Sequence, residues 1–562
     1  MALAIGISRA GKIALAGLIA LVLIAGYWAW LARPQALPDA PADRIACLSY
    51  APFRGDETPF DPNLFADPAR IEADVKALAA HTGCLRTYSV GQGLEAVVPV
   101  AAAQGIEILL GVWIGSDPAA NRREIVTAMR LANDYPDTVR AIVVGNEVLL
   151  RHELSAELLA DLIAEVRAGV PVPVTYADVW EFWLANPALA GEVDFITIHI
   201  LPYWEDVPIA VDDAVNHAAA IVAEVRAVHP DLSVLIGETG WPSAGRIRDV
   251  AEPGRVSQAS YIRAFIAYAA AEGVDYNLVE AFDQPWKRGL EGTVGGEWGI
   301  ATSDGALKFP LAGPVAELTQ PLRWFALSVA IALMLIVVHV RSAPVTSGRR
   351  IVAAGALAAF AGLAIAHQTM RIDHTARDPG EWMVEIGLLL LSLCSAVVLA
   401  RATAVPAPEW PLPRGADDVI AHVRMPASGI TDRATALGLL RLLASGAYLF
   451  VSIAIIADPR YRDLPDASLV IPLLGFMILA LGARDEILSP GDTLPGWLML
   501  LGAAGVLWRE GLANEAGWSW AVLGVAGAIG WGVLGQRVRI APNSRSNARI
   551  TSTAASAPKS AL

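Results

Sequence analysis

The chain has 562 residues, of which 55% are hydrophobic, and its mean hydropathy of +0.47 excludes an ordinary soluble protein. Residues 33–323 contain 40 Asp and Glu against 21 Lys and Arg, a charge of −19, and the other 16 acidic and 21 basic residues bring the net charge to −14. The acidic middle of the chain excludes nucleic acid as its partner, because phosphate binding requires a basic surface.

Apolar segments occupy both ends of this acidic region. Roughly 20 apolar residues are needed to cross a bilayer, and eight segments approach that length: Ile13–Leu31, Trp324–Val340, Ile351–His367, Trp382–Ala400, Ala436–Ala457, Ala467–Ala483, Leu494–Trp508 and Trp518–Gln536. The sequence therefore predicts an N-terminal transmembrane anchor in residues 1–32 and a membrane domain of about seven helices in residues 324–536. A cleaved signal peptide is the alternative for the first segment.

The distribution of basic residues predicts which side of the membrane the middle domain occupies. Arg and Lys concentrate on the side that holds both termini, as with Arg9 and Lys12 before the first span and Arg341 and Arg350 after the second. The positive-inside rule then places both termini, including a tail of residues 537–562, in the cytoplasm. We therefore expect residues 33–323 to be periplasmic, in a protein of the bacterial inner membrane.

The middle domain alternates strand-like and helix-like patterns. Eight apolar runs predict strands: Ile45–Tyr50, Cys84–Tyr88, Ile106–Val112, Ala141–Asn146, Val172–Tyr176, Asp194–Ile200, Ser233–Glu238 and Tyr276–Phe282. Continuous apolar strands separated by amphipathic helices are typical of a parallel sheet. Eight such units over about 270 residues predict an α/β fold, a (β/α)8 TIM barrel. An open doubly wound sheet is the alternative, although no GxGxxG follows the first strand.

The cysteines are few and carry no metal-binding spacing. Cys47 and Cys84 lie on neighbouring predicted strands, where they can form either a disulfide or two buried free thiols. Nothing in the sequence requires a cofactor or a metal.

In a TIM barrel the chemistry lies at the carboxyl ends of the strands. The side chains predicted there combine carboxylates, amides and aromatic rings: Tyr50, Arg86, Tyr88, Asn146, Glu147, Asp178, His199, Tyr203, Glu238, Trp241, Glu280, Asp283 and Trp286. Aromatic rings stack on sugar faces, and acids and amides bond sugar hydroxyls, so this combination indicates a carbohydrate site.

Two of these acids form a candidate catalytic pair. Glu147 ends the fourth strand and Glu238 the seventh, so they face each other across the barrel. Glycoside hydrolysis needs one acid to protonate the leaving oxygen and a second carboxylate on the other side of the anomeric carbon, and a separation of about 5 Å gives retention. Asn146 is placed to bond a sugar 2-hydroxyl, and Tyr203 to bond Glu238.

The motifs "VVGNE", "IGETGWPS" and "EAFDQPWK" resemble glycoside hydrolase family 17, the β-1,3-glucanases and glucanosyltransferases, across about residues 44–310. The resemblance implies a retaining mechanism with Glu147 as acid/base and Glu238 as nucleophile. It also implies that Glu280 and Lys287 are auxiliary residues. The chain departs from many plant members at His199 and Leu201, which affects the expected subsite preference.

The expected activity is hydrolysis or transfer on β-1,3-linked glucans, with a glucan polysaccharide or oligosaccharide and the membrane as partners and a membrane glucan synthase as a candidate partner. The alternative is a non-catalytic glucan-binding or export component. That alternative predicts loss of the catalytic carboxylates, and both are present.

Overall fold

Eight parallel strands close into a barrel, as the alternating pattern predicts. The computed structural model describes residues 8–342, 348–405, 413–424, 433–457, 464–482, 490–511 and 514–533. The strands are β1 Leu48–Ser49, β2 Cys84–Arg86, β3 Glu107–Val112, β4 Val139–Asn146, β5 Val174–Val179, β6 Ile196–His199, β7 Val234–Thr239 and β8 Asp275–Leu278. Each strand pairs with the next, and Leu48 of β1 pairs with Leu278 of β8 to close the sheet. The predicted TIM barrel is confirmed.

Helices connect the strands and cover the outside of the barrel. They are α2 Pro68–Leu78, α3 Val97–Gln104, α4 Pro118–Asp134, α5 Ala156–Gly169, α6 Trp180–Ala185, α7 Ala214–Val228, α8 Arg255–Glu272 and α9 Arg288–Glu291. Several begin at polar caps; Asp67, Asp117 and Ser155 each accept a backbone N–H of the helix that follows. Apolar residues of these helices pack on the strands in one continuous core.

A smaller apolar cluster fills the barrel between Cys47, Cys84, Leu109, Val143 and Leu235. Cys47 and Cys84 are joined by a disulfide within it, which confirms the first of the two alternatives for these residues. The bond links β2 to the segment that enters β1, and both sulfur atoms lie in the interior.

Apolar helices outside the barrel form a second body, the helical bundle. Its helices are α1 Arg9–Leu31, α10 Pro321–Ser342, α11 Gly348–Thr375, α12 Pro379–Ala402, α13 Ala416–Arg424, α14 Arg433–Ala457, α15 Asp466–Gly482, α16 Pro490–Glu510 and α17 Glu515–Gly530. The N-terminal helix α1 packs against α10 and α11, where the Trp28 indole donates to the Ser328 hydroxyl at 2.9 Å. The predicted anchor and the later spans therefore belong to one packed unit.

Five of these helices are long and apolar enough to cross a membrane: Ile13–Leu31, Pro321–Ser342, Arg350–Thr375, Pro379–Ala402 and Arg433–Ala457. The three remaining predicted spans are also helical, as α15, α16 and α17, but over their described residues they fall short of the same limits of length and hydropathy. The predicted tail of residues 537–562 lies outside the described residues.

Candidate active site

The two candidate acids meet at the barrel mouth, which we define as the carboxyl ends of the strands and the loops that follow them. Glu147 comes directly after β4 and adopts φ +52°, two residues after Gly145 at φ +88°. Glu238 lies in β7, three strands away. An oxygen of each carboxylate and a nitrogen of His199 all lie within 4.8 Å of one another. The carboxylate separation matches the short spacing of retaining glycosidases rather than the wider spacing of inverting ones.

His199, the last residue of β6, lies between the two acids. Its Nδ1 is 2.9 Å from Glu147 Oε1, and its Nε2 is 3.7 Å from Glu238 Oε1. The same Nε2 is 3.3 Å from Nη1 of Arg86. Because a guanidinium only donates, Nε2 accepts, and we infer that the ring proton is on Nδ1 and is donated to Glu147.

Arg86, the last residue of β2, orients the candidate nucleophile Glu238 through a buried hydrogen-bond network. The side chain is 1% exposed, and it donates to Glu238 Oε1 at 3.3 Å, to the Gly237 carbonyl at 2.6 Å and to Asn146 Oδ1 at 2.6 Å. Its guanidinium also lies over the Tyr88 ring, 4.8 Å from the centroid. One buried cation thereby fixes Glu238 relative to the residue that precedes Glu147.

The glycine before Glu238 is required for this close packing. A Cβ at Gly237 would lie 2.4 Å from Thr197 Cγ2 and 3.3 Å from Arg86 Nη1. β7 can therefore approach β6 and the guanidinium only without a side chain at this position. This accounts physically for the glycine in the "IGE" motif.

The predicted auxiliary residues form an ion pair beyond β8. Lys287 Nζ lies 2.9 and 3.0 Å from the two carboxylate oxygens of Glu280. Burial raises the pKa of Glu280, and the charge of Lys287 opposes this shift. Burial also disfavours the charged form of Lys287, but Glu280 and Glu291 outweigh burial and raise the pKa of this ammonium. The pair places a cation beside the acidic pair.

Opposing effects act on the proton affinity of Glu147. Burial raises its pKa, but the hydrogen bond and charge of His199, together with the charges of Arg86 and Arg151, outweigh burial and lower the pKa below the ordinary value. Glu147 is therefore ionised in the free site, which is the form of a general base. To act as the acid of a cleavage step, Glu147 must first take up a proton.

Several residues predicted at the mouth lie inside the protein instead. Trp241 is fully buried and donates to the Glu252 carbonyl at 3.0 Å, and Tyr50 is 1% exposed with its hydroxyl on Asp74 at 3.0 Å. Asp178 is fully buried and accepts the Leu149 N–H at 3.2 Å, so it holds the turn after Glu147. These three side chains are inaccessible to a sugar, and their predicted contact with substrate is corrected to a structural role.

Two further predicted contacts differ from expectation. The Tyr203 hydroxyl donates to the Arg246 carbonyl at 2.7 Å, so its proton is committed away from Glu238. Asp283 is 7% exposed and pairs with Lys308 at 2.6 Å, which makes it part of the loop support beneath the mouth.

Three residues that sequence reasoning missed border the site. Phe60, 62% exposed, packs edge-to-face on Trp286 with centroids 5.6 Å apart. Arg151 lies over Trp113 at 4.2 Å and donates to the Asn146 carbonyl at 2.9 Å. Burial, together with the charges of Glu238 and Glu147, raises the pKa of Glu291 to about 7. None of the three lies at the end of a predicted strand, which is where site residues were sought. Phe60 could have been found in the sequence as an aromatic residue within a polar loop.

The acids and His199 have the donor types of a metal site, but Arg86 competes with any cation there. Its guanidinium lies 3.3 Å from both His199 Nε2 and Glu238 Oε1, the atoms that a metal ion would need. The donor set therefore fits a hydrogen-bonded acid pair better than a metal centre.

Comparison with known proteins places the similarity in the barrel. Residues 47–299 match the BtgE/BtgC glycoside hydrolase domain. The chain is similar to the glucan 1,3-beta-glucosidase of Schizosaccharomyces pombe, 31% identical over 258 residues that cover 42% of this chain and 79% of that protein. It is 27% identical to the Saccharomyces cerevisiae glucan 1,3-beta-glucosidase over 263 residues, which cover 43% and 84% of the two chains. Among solved structures, an active-site mutant of the Rhizomucor miehei beta-1,3-glucanosyltransferase in complex with laminaritriose is 24% identical, with a TM-score of 0.43, over 49% of this chain and 98% of that one.

Proposed function

This chain belongs to the BtgE/BtgC glycoside hydrolase family, together with fungal glucan 1,3-beta-glucosidases, and we propose that it is a retaining enzyme that hydrolyses or transfers β-1,3-linked glucan. The observation that carries the proposal is the acid pair at the barrel mouth, with oxygens of Glu147 and Glu238 within 4.8 Å and His199 between them. A non-catalytic glucan-binding protein would not need two carboxylates at this separation.

The proposed reaction has two displacement steps. In the first, Glu238 attacks the anomeric carbon, the bond to the leaving oxygen breaks, and Glu147 gives its proton to that oxygen. In the second, Glu147 takes a proton from water or from a glucan hydroxyl, whose oxygen attacks the same carbon and releases Glu238. Both steps invert the carbon, so the configuration is retained.

The surrounding side chains support these roles. Arg86 fixes the orientation of Glu238 through its hydrogen bonds to that carboxylate and to the Gly237 carbonyl. Asn146, fixed through its oxygen by Arg86, would use its amide nitrogen to bond the sugar 2-hydroxyl. His199 donates its Nδ1–H to Glu147 and holds that carboxylate in place as it alternates between acid and base.

The choice between hydrolysis and transfer depends on what reaches the glycosyl-enzyme first. The exposed Phe60–Trp286 pair at the mouth and the partly exposed Trp204 offer apolar faces to a sugar acceptor. We therefore propose transfer to a glucan hydroxyl as the favoured outcome.

The proposed location is the outer face of a bacterial inner membrane. In support, five helices are long and apolar enough to cross a membrane, and the Cys47–Cys84 disulfide is typical of an oxidising compartment. We propose residues 1–32 as the anchor, 33–323 as the periplasmic enzyme and 324–536 as the membrane domain, with both termini cytoplasmic. The bundle could also dock a membrane glucan synthase.

The test uses the full chain in detergent with linear β-1,3-gluco-oligosaccharides, with product masses followed over time. Products longer than the substrate, or lighter by one water, support transfer, and shorter products alone support hydrolysis. E238Q, which preserves the shape of the side chain, should lose activity. Equal activity of E238Q and the unaltered chain contradicts the assignment of the nucleophile, and an inactive unaltered chain contradicts the enzyme.

A further inference from the structure

The loops that follow β7 and β8 rest on the helical bundle. Arg246, in the loop after β7, forms an ion pair with Glu381 at 2.8 Å and donates to the Thr375 carbonyl at 2.8 and 3.0 Å. Arg288, the first residue of α9 in the segment after β8, donates to the carbonyls of Asp373 and Ala376. Two segments of the barrel mouth are thus attached to one connection, residues 373–381, which comprises the end of α11, the turn after it and the start of α12.

These contacts complete the end of a helix. The last carbonyls of a helix lack intrahelical partners, and the helix dipole makes that end negative, so guanidinium groups are well suited to it. α11 ends at Thr375, and the three carbonyls that Arg246 and Arg288 contact lie in its last turn or directly after it. Thr375 and Ala376 are 2% and 1% exposed, so water cannot take the place of the arginines as the hydrogen-bond donor to their carbonyls.

Glu381 is held from two sides. It receives Arg246 from the barrel, and Arg377 of the connection itself approaches it at 3.0 Å. Asp378 caps α12 by accepting the backbone N–H groups of Gly380 and Glu381. The connection is therefore a rigid, capped turn between two helices.

The same arginines belong to segments that lie next to the Lys287–Glu280 ion pair and the loops of the mouth. The backbone carbonyl of Arg246 accepts the Tyr203 hydroxyl, and its N–H donates to Thr293 Oγ1 at 3.2 Å. Arg288 directly follows Lys287, which pairs with Glu280. A displacement of Arg288 would therefore shift Lys287, the cation beside the two acids, and a displacement of Arg246 would shift the loop after β7.

We propose that the Asp373–Glu381 connection is a positioning element of the active site, with Arg246 and Arg288 as the positioning residues that transmit its hold. This inference rests on the proposed function. The barrel mouth, at β7 and β8, then lies against the outer end of the bundle, so glucan enters along the membrane surface and turnover depends on the assembled bundle.

The experiment compares full-chain variants in detergent on linear β-1,3-gluco-oligosaccharides. The double variant R246Q/R288Q should lower kcat at least tenfold, with a smaller change in KM, because Lys287 and the loop after β7 lose their support. R140Q is the matched control, since Arg140 pairs with Asp275 at 2.8 Å at the opposite end of the strands. Its kcat should stay within twofold of the unaltered chain. A double variant within twofold overturns the inference.

Hydrogen exchange separates this inference from the proposed function, because it needs no turnover. Backbone amides of residues 243–254 and 285–297 should exchange faster in R246Q/R288Q than in R140Q, even if the unaltered chain is inactive on glucan. Unchanged exchange overturns the inference. If the double variant does not fold, E381Q removes only one partly exposed charge and should show the same faster exchange of residues 243–254; unchanged exchange there is equally decisive.

Discussion

His199 lies between the two acids of the proposed reaction, and its hydrogen bond lowers the pKa of Glu147. It donates to Glu147 at 2.9 Å, while its other nitrogen accepts from Arg86 at 3.3 Å. An imidazole in this position stabilises ionised Glu147, whereas the first chemical step needs that acid protonated. The hydrogen bond from His199 therefore acts on the alkaline limit of activity, where Glu147 loses its proton.

Replacing His199 with alanine tests this arrangement. H199A removes the hydrogen bond from Nδ1–H that lowers the pKa of Glu147. The pKa of Glu147 should then rise, and the alkaline limb of kcat/KM, which reports loss of the acid proton, should move to higher pH. H81A, at the opposite end of the barrel, should leave the profile unchanged. An unmoved alkaline limb in H199A would show that His199 does not govern Glu147.

Arg86 carries a second prediction at the same scale. R86K keeps the charge but replaces a planar fork that reaches Glu238, Gly237 and Asn146 at once with a single ammonium. We expect kcat to fall on the order of a hundredfold, as when one preorganised donor is removed from an active site. Steady-state kinetics and thermal unfolding of R86K beside R140K separate lost orientation from lost folding. Unchanged kcat in a folded R86K would contradict the role.

At the scale of the element, β7 has two neighbouring residues with different demands. Gly237 has no room for a side chain, and Glu238 is the proposed nucleophile. G237A places a methyl group 2.4 Å from Thr197 Cγ2, so β7 must move away from β6 and carry Glu238 with it. Overpacking of this kind costs about 1–3 kcal/mol of unfolding free energy, and activity should fall with it. G191A, where no atom lies within 4 Å of the new Cβ, is the control for chemical denaturation. Equal stability of the two variants would contradict this packing argument.

The strands were predictable because a strand buried on both faces must be apolar throughout, and all eight apolar runs became barrel strands. The acids at the ends of β4 and β7 followed from strand order alone. The direction of individual side chains could not be predicted from strand order. Successive residues of a strand point in opposite directions, so a shift of one residue at the strand end moves a side chain from the mouth into the core. Trp241 and Asp178 are therefore buried, where only packing and the hydrogen bonds of neighbouring loops could have placed them. β8 ends at Leu278, so Glu280 lies in the loop beyond it.

At the scale of the whole molecule, the attachment of the barrel to the bundle had no signature in the sequence. Arg246 lies in a loop and Arg288 begins the short helix α9, and apart from Glu381 their partners in the bundle are backbone carbonyls about 85 to 130 residues later in the chain. Backbone carbonyls exist in every residue, so no residue pattern marks them as partners. Only the assembled structure shows that the end of α11 faces the barrel mouth.

The acidic barrel also contains a carboxyl group whose burial couples folding to pH. Burial and the charges of Glu280, Glu238 and Glu147 outweigh the opposing charge of Lys287 and together raise the pKa of Glu291 from 4.5 to about 7. The folded state thus binds this proton more tightly than the unfolded chain. The stability contributed by Glu291 is complete below about pH 4.5 and is lost as the pH rises to about 7.

Substituting Glu291 by glutamine removes this dependence. We expect E291Q to match the unaltered chain near pH 4.5 and to exceed its unfolding free energy by on the order of 2 kcal/mol at pH 8, because the glutamine never has to ionise in a buried site. Near-UV circular dichroism of thermal unfolding, from pH 4.5 to 8, measures the difference. E72Q alters an exposed carboxyl on α2 and should give a curve parallel to the unaltered chain. If E291Q also runs parallel, Glu291 is already ionised at no cost in the folded protein, and the electrostatic balance around Lys287 must favour its charge.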